Sequence, residues 1–580
     1  MLKRIRFSLS LTLAALVAVT GLSTPAATAA DVRCDARLPE NVYFLISVPN
    51  LTKTKEAFFK TRTGQAFSDP AFKPFFEQFE SKIEEMKTKF EEEMGLPIAD
   101  FLDIPQGEIT FAVLKPPRSS LAGAAMLGYG ESEKTVKELL AKLDDQMKEE
   151  GAEKKTNTET GVEIYAYHFP DSDAPLQAEF TYFMKDKTLV MTSSLACAKS
   201  IISRWDGKNT ETFAQEESWM KILDSCKVPG DADFLVYLNL IDLARVGIAA
   251  GGEATAPAQM VLGFLPVLGL DGFKAVGGLA KLDADKLDSI SKSLIIVTQP
   301  TTGILNMFKL EKGNFAPAKW VPENTFSYTA FDWDVVAAYK AVETMVDSFQ
   351  GPGATADALD GAEQQIGLHP KTDVIDALTG RFDIAQVAGD EEDITPTFFV
   401  SIGFNKEEAA EKILGILAEQ EVIVEVEDEA QPSDDVTVYM INPDNMGGDE
   451  DANVIYVAYS GEAFLIGSSE EIVMNAINEE EPEKSLVNDA TYKAAAKQYP
   501  KDVLLYSYTN AGLALKGYYE LLRLEGPDAL DATGQLSQTF EGIDFSLLPE
   551  FSKIEKYFSA KGSYMLEHPE GAISTEFSTK

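Results

Sequence analysis

The chain has 580 residues, 45% hydrophobic and 10% aromatic, so it has the material for several packed cores and is no disordered polymer. Its formal net charge is −42, from 93 acidic and 51 basic side chains; a field of that sign repels phosphate backbones and weighs against nucleic acid as a partner. Solubility is the simple reading of the charge, with cationic partners left open.

The first thirty residues stand apart. Lys3, Arg4 and Arg6 precede the apolar run "LSLTLAALVAV" and the small residues Ala27 to Ala29. That order predicts a secretory signal peptide over residues 1–30, too short to span a membrane, and an exported, periplasmic or extracellular protein. An uncleaved anchor is disfavoured because the run stops at Thr20 and Gly21. No later segment reaches eighteen consecutive apolar residues, so no transmembrane span is expected in the mature chain.

"NVYFLISV", bounded by Pro39 and Pro49, predicts a buried strand. Phe72, Phe75, Phe79, Ile83, Met86 and Phe90 then step by three and four, a helical stripe expected to cover its own sheet, with a partner-binding face as the alternative. "EITFAVLK" and "LAGAAMLGYG" are strands separated by the loop "PPRSS". A second amphipathic helix carries Val136, Leu139, Leu140 and Leu143. "VEIYAYHF" and "AEFTYFMKDKTLVMTSS" predict strands, the latter a hairpin turning at "KDK", and "SSLACAKSIISRW" a helix whose Ser can cap its first turn. Gly247 to Phe273 is apolar and Gly-rich, expected to be a loop over a core edge rather than a cavity wall. Residues 301–320 are expected to be a connector.

The second half echoes the first. "LPEN" at Leu38 meets "VPEN" at Val321, an offset of 283; "DFLDIPQGEI" at Asp100 meets "DVIDALTGRF" at Asp373, an offset of 273. "YHFPD" and "MINPD" repeat the 273; "AEFTYF" meets "ANVIYV" at 274, and "DFLVYLN" meets "VLLYSYTN" at 271. Val335, Tyr339, Val342, Val346 and Phe349 repeat the first stripe, and Ala410, Ile413, Leu414 and Leu417 the second. The expected fold class is α+β: two tandem homologous units, residues 31–300 and 321–580, each a mainly antiparallel sheet with amphipathic helices over one face.

Chemistry is sparse. His168, His369 and His568 have no neighbour at ligand spacing, and HExxH, GxSxG and phosphate-cradling glycine loops are absent. Asp100 and Asp103, repeated as Asp373 and Asp376, are three apart and could share a Ca²⁺ ion or divide acid and base roles; helix capping is the simpler reading, because Ca²⁺ wants about six or more oxygens. The acidic runs Glu425 to Asp435 and Asn442 to Asn453 are expected to be solvated loops. Cys197 and Cys226 are the pair to test for a disulfide, with buried free thiols equally open.

The phrases "LPENVYFLISVPNL", "FSDPAFKPFFEQF" and "DFLDIPQGEITFAVL" resemble an exported bacterial family, Domain of Unknown Function 3352. The second half departs from it, with no "SDPAFKPFFE" and "TGRFDIAQV" in place of "QGEITFAV". The resemblance implies an envelope or surface protein without assigned activity and supplies no catalytic residues. The favoured expectation is a non-catalytic binding or structural component of the cell envelope, partnered by an unknown envelope protein. The alternatives are a carrier of an apolar ligand and a hydrolase with an unrecognised carboxylate site.

Overall fold

The structure is a computed structural model that describes residues 33–94, 97–116, 121–169, 179–250, 256–389, 394–426, 436–442, 454–479, 484–527, 540 and 542–580. The predicted leader, most of both acidic runs and the "PD" ends of one repeated pair lie outside the described residues. The chain divides into two compact units: residues 1–263, 273–285 and 289–296 form the first, and 264–272, 286–288 and 297–580 the second.

Unit 1 contains β1 (Val42–Val48), β2 (Ile109–Leu114), β3 (Ala122–Gly128), β4 (Glu153–Glu159), β5 (Val162–His168), β6 (Glu179–Lys185), β7 (Thr188–Thr192), β8 (Phe234–Leu238), β9 (Phe273–Ala284) and most of β10 (Leu287–Val297). Their order across the sheet is β4, β5, β6, β7, β3, β2, β1, β8, β9, β10. Every described ladder from β4 to β9 is antiparallel. The "KDK" turn works because Asp186 and Lys187 both take positive φ, 47° and 58°, the twist a two-residue hairpin needs. β4 is a surprise: "EKKTNTE" is polar and almost wholly exposed, yet pairs with β5 over seven residues. Backbone pairing, not side-chain burial, makes it a strand.

The helix Glu133–Glu149 lays Val136 and Leu140 onto a core with Ile109, Leu127, Tyr167 and Tyr182. Phe183, the next residue after Tyr182, meets Trp205 of the helix Leu195–Trp205 edge-on at 5.8 Å. Successive strand residues face opposite ways, so helices cover both faces of the sheet rather than one. Ser194 caps the second of these helices by accepting from the Cys197 N–H at 3.3 Å.

The aromatic stripe from Phe72 to Phe90 does not cover a sheet. It breaks into the turn Pro70–Phe72, the helix Lys73–Glu77 and the helix Glu80–Met94, and Phe76, Ile83 and Met86 are 43, 45 and 65% exposed. Phe75 packs instead against Phe79 of the same stripe at 5.4 Å, and at the far end Phe90 meets Phe101 of the helix Ile98–Leu102, itself packed on the unit 1 core, at 5.3 Å.

Unit 2 contains β11 (Leu310–Glu311), β12 (Thr325–Trp333), β13 (Leu378–Val387), β14 (Thr397–Phe404), β15 (Ile423–Glu425), β16 (Val438–Ile441), β17 (Tyr456–Tyr459), β18 (Ala463–Gly467), β19 (Leu505–Asn510), β20 (Ala560–His568) and β21 (Gly571–Thr579). Its order is β15, β16, β17, β18, β14, β13, β12, β19, β20, β21, all antiparallel, with β11 continuing against the end of β12. Each unit thus lays its ten main strands in the same succession. Residues 301–320 are no free tether: β11 pairs with β12, Gly313 bridges Val503, and Phe315 is buried, all within unit 2.

The registers agree too. Leu45 pairs with Ala112 and Tyr237 in unit 1, and Tyr328 with Ala385 and Tyr508 in unit 2, displacements of 283, 273 and 271. The Phe213 N–H donates to the Leu38 carbonyl at 3.0 Å as the Leu486 N–H does to Val321 at 2.8 Å. One expected offset is corrected. Thr181 pairs with Thr192 as Tyr456 pairs with Gly467, which is 275 rather than 274 for this strand. One residue matters, since it exchanges the faces of a strand.

Candidate functional site

A buried polar cluster in unit 1 forms where the segment Arg33–Arg37 meets β1 and β2. Glu108, just before β2, accepts from the Cys34 backbone N–H and the Ser47 hydroxyl, each at 3.1 Å, and the Thr110 hydroxyl donates in turn to Ser47 at 2.8 Å. Burial pushes the Glu108 carboxyl above the ordinary glutamate range, against the lowering effect of the bonds from Cys34 and Ser47. Beside it, buried Asp35 accepts from the Trp219 indole at 2.8 Å and is paired with Arg33, while the Arg37 guanidinium lies 4.1 Å over the Trp205 ring. Sequence reasoning missed Glu108; its one signal was an acid set directly against the apolar run of β2.

The same displacement of 273 carries Glu108 to Arg381 and Thr110 to Asp383, where the polarity is redistributed. Arg381 grips Asp383 through Nε at 2.7 Å and Nη2 at 2.5 Å, and the Tyr328 hydroxyl donates to the same carboxylate at 2.5 Å. Burial opposes the Arg381 charge, but Asp383 more than offsets it and the guanidinium is held charged. Burial, then the Asp383 charge, pushes the Tyr328 hydroxyl well above its usual value. In both units these groups bond inward, to strand and segment neighbours, which suits anchoring.

The repeated Asp pairs do not assemble a shared site. Asp100, midway along the helix Ile98–Leu102, and Asp103, which follows its last residue, are both exposed, and the helix has no side-chain cap. Asp373 accepts from the His369 N–H at 3.0 Å, which holds its carboxyl below the usual range, while Asp376 pairs with Lys371 at 2.9 Å. His369 returns the contact: its Nδ1 accepts from the N–H groups of Lys371 and Thr372 at 3.2 and 3.3 Å, a reciprocal cap.

His369 does have neighbours, contrary to its sequence spacing. Asp360, Glu363 and His369 place one potential ligand atom each within 4.8 Å of the others. The i, i+3 acid pair six residues upstream was the available signal. The imidazole nevertheless does not fit a metal. With Nδ1 accepting two backbone donors, the ring proton sits on Nε2, which faces Asp360 at 3.6 Å. A metal-bound His instead donates its second ring N–H.

The three Cys are separate buried thiols, so the disulfide between Cys197 and Cys226 does not form. Cys197, on the helix Leu195–Trp205, stands where unit 2 has Ile472, a packing position, and Cys226, just past the helix Glu217–Ser225, donates to the Gly277 carbonyl at 3.9 Å. Burial pushes Cys197 up to about 12 and Cys226 up to about 11, and it raises Cys34 too, with Glu108 and Asp35 adding to the effect. All three are therefore thiols, not thiolate nucleophiles, at neutral pH.

Unit 2 holds a half-open cavity of about 200 Å³ between Phe315, Tyr492, Tyr499 and Tyr506, with the exposed residues Asn314 and Lys501 at its mouth. Tyr499 stacks on Tyr506 at 3.9 Å and 21°. Neither residue was singled out by sequence.

Residues 7–246 match the model of a family described as "Protein of unknown function (DUF3352)". No curated protein and no solved structure matches the chain. Among the described residues, no helix is long and apolar enough to cross a membrane.

Proposed function

We propose that the chain is an exported, non-catalytic binding or structural component of a bacterial cell envelope, made by head-to-tail copying of one α+β unit and related over both copies to the matched family. The leader pattern supports export. The common strand succession and the displaced registers support the copying. The observation that carries the binding role is the solvent-facing apolar stripe Phe76, Ile83 and Met86 on the helical segment of unit 1. Burying a side chain such as Phe or Met is worth about 1.5–3 kcal/mol, so leaving such a stripe in water fits a surface that meets a partner.

A photo-crosslinking residue in place of Met86, expressed in the native host, tests this. Discrete adducts at Met86 but not at exposed Lys134 support the reading; identical patterns at both sites refute it. The mass of the exported protein tests the leader, and a blank screen against ester, glycoside and peptide substrates supports the non-catalytic part.

A second reading, a carrier of an apolar ligand, draws on Met260 and Val267, 69 and 52% exposed in a segment that is largely helical rather than a loop. Native mass spectrometry separates the two: co-purified lipid favours the carrier.

A further inference from the structure

We propose that the cavity of unit 2 binds a small six-membered-ring carboxylate, its ring against Tyr499 and its carboxylate at Lys501. The walls are built for a ring. The Tyr499 hydroxyl donates to the Ser507 carbonyl at 2.5 Å and the Tyr506 hydroxyl to Tyr492 at 2.9 Å, so both donors are committed to the protein. With those two protons used, the Tyr499 and Tyr506 side chains have their rings left to offer a ligand, which suits a stacked ring or the C–H face of a sugar.

Two glycines let the walls stand where they do. A Cβ on Gly313 would lie 2.5 Å from the Phe315 ring, and one on Gly562 would lie 2.3 Å from the Tyr499 hydroxyl. The volume of about 200 Å³ gives room for one ring with a substituent. The mouth supplies the polarity: Lys501 is the one charged residue of the lining, and Asn314 adds an amide. On a chain of net charge −42 a lone ammonium beside aromatic walls selects for a compact anion with an apolar body over a highly charged one.

Unit 1 has no such arrangement at the equivalent place. Trp219 stands at the position of Tyr492, is 1% exposed, stacks on Phe213 at 5.1 Å and donates to Asp35, whose counterpart in unit 2 is Ala318. Cys226 and Leu235 stand in place of Tyr499 and Tyr506.

An aromatic acid and a uronic acid share this chemistry, and ligand-observed NMR on the full mature chain distinguishes them with benzoate and glucuronate as probes. Saturable binding of benzoate alone identifies an aromatic acid, of glucuronate alone a glycan end, and of both the shared chemistry. Lys501→Glu should weaken the bound probe at least tenfold, and Ala496→Phe should abolish binding by filling the space. Lys497→Glu, which changes charge nearby without lining the cavity, should stay within twofold. Absence of saturable binding by either probe at about 10 mM, well into the range of weak small ligands, overturns the proposal. So does binding that survives Ala496→Phe in a folded protein. The outcome is independent of the crosslinking at Met86, which interrogates unit 1 in the cell.

Discussion

Glu108→Gln and Glu108→Ala should move stability in different ways, because they remove different parts of one interaction. Ala removes the acceptor. Ser47 and Thr110 can still bond each other, since the Thr110 hydroxyl already donates to Ser47 at 2.8 Å, but the buried Cys34 N–H is left without its acceptor. An orphaned buried donor costs about 1–3 kcal/mol, to which the vacated space adds. Gln keeps an acceptor oxygen and removes the ionisable group. Because the folded-state pKa of Glu108 is raised, the native state holds its proton more tightly than the unfolded chain does. Native stability from this group is therefore greatest below the ordinary glutamate value of about 4.3 and falls as pH rises through the elevated folded value. The Gln variant lacks that loss. Thermal melts of the mature chain between about pH 4 and pH 8 should show the melting temperature of Glu108→Gln gaining on wild type as pH rises, and Glu108→Ala below wild type throughout. A Gln-minus-wild-type difference that shrinks with rising pH would refute the account of Glu108 as a buried, costly charge.

Leu140→Ala and Leu414→Ala occupy equivalent stripe positions, 6 and 7% exposed, so each should cost about 2–5 kcal/mol by denaturant titration; a value near zero for either would mean its helix is not seated. Asp144→Asn should flatten the acid limb of the stability profile. Partial burial raises the Asp144 pKa, but bonds from Lys148, Lys154 and Tyr167 outweigh it and hold the carboxyl far below the usual range. That stability is present above the ordinary Asp value and lost as pH falls, so the two proteins should converge in acid. Gly562→Ala should destabilise by about 1–3 kcal/mol through overpacking against Phe577 and Tyr499, and should perturb tyrosine fluorescence in the same step.

The stripe Val136–Leu140 and its displaced partner Ala410–Leu414 were legible because helix periodicity is a local property, and in both units those positions are buried. The alternation in β2, β3, β6 and β7 was legible for the same reason. β4 was hidden because its residues disfavour strands and only β5 beside it makes one. The hairpins β9–β10 and β20–β21 also passed unseen, their apolar residues diluted by Gly, Lys and Ser. The Phe72 to Phe90 stripe showed the opposite failure: the periodicity was read, but no sheet lies beneath most of it.

Local order, in short, follows from neighbours a few bonds away, and so the spacing of apolar residues and the displacements of 283, 273 and 271 could be read from the chain itself. What joins distant residues could not. Glu108 meets the Cys34 N–H across 74 positions and Asp35 meets Trp219 across 184, and nothing in the sequence near either residue announces its partner. Burial, and with it the raised Glu108 pKa, the protonated thiols and the aromatic cavity, exists only once the sheet has brought those segments together and excluded water from between them.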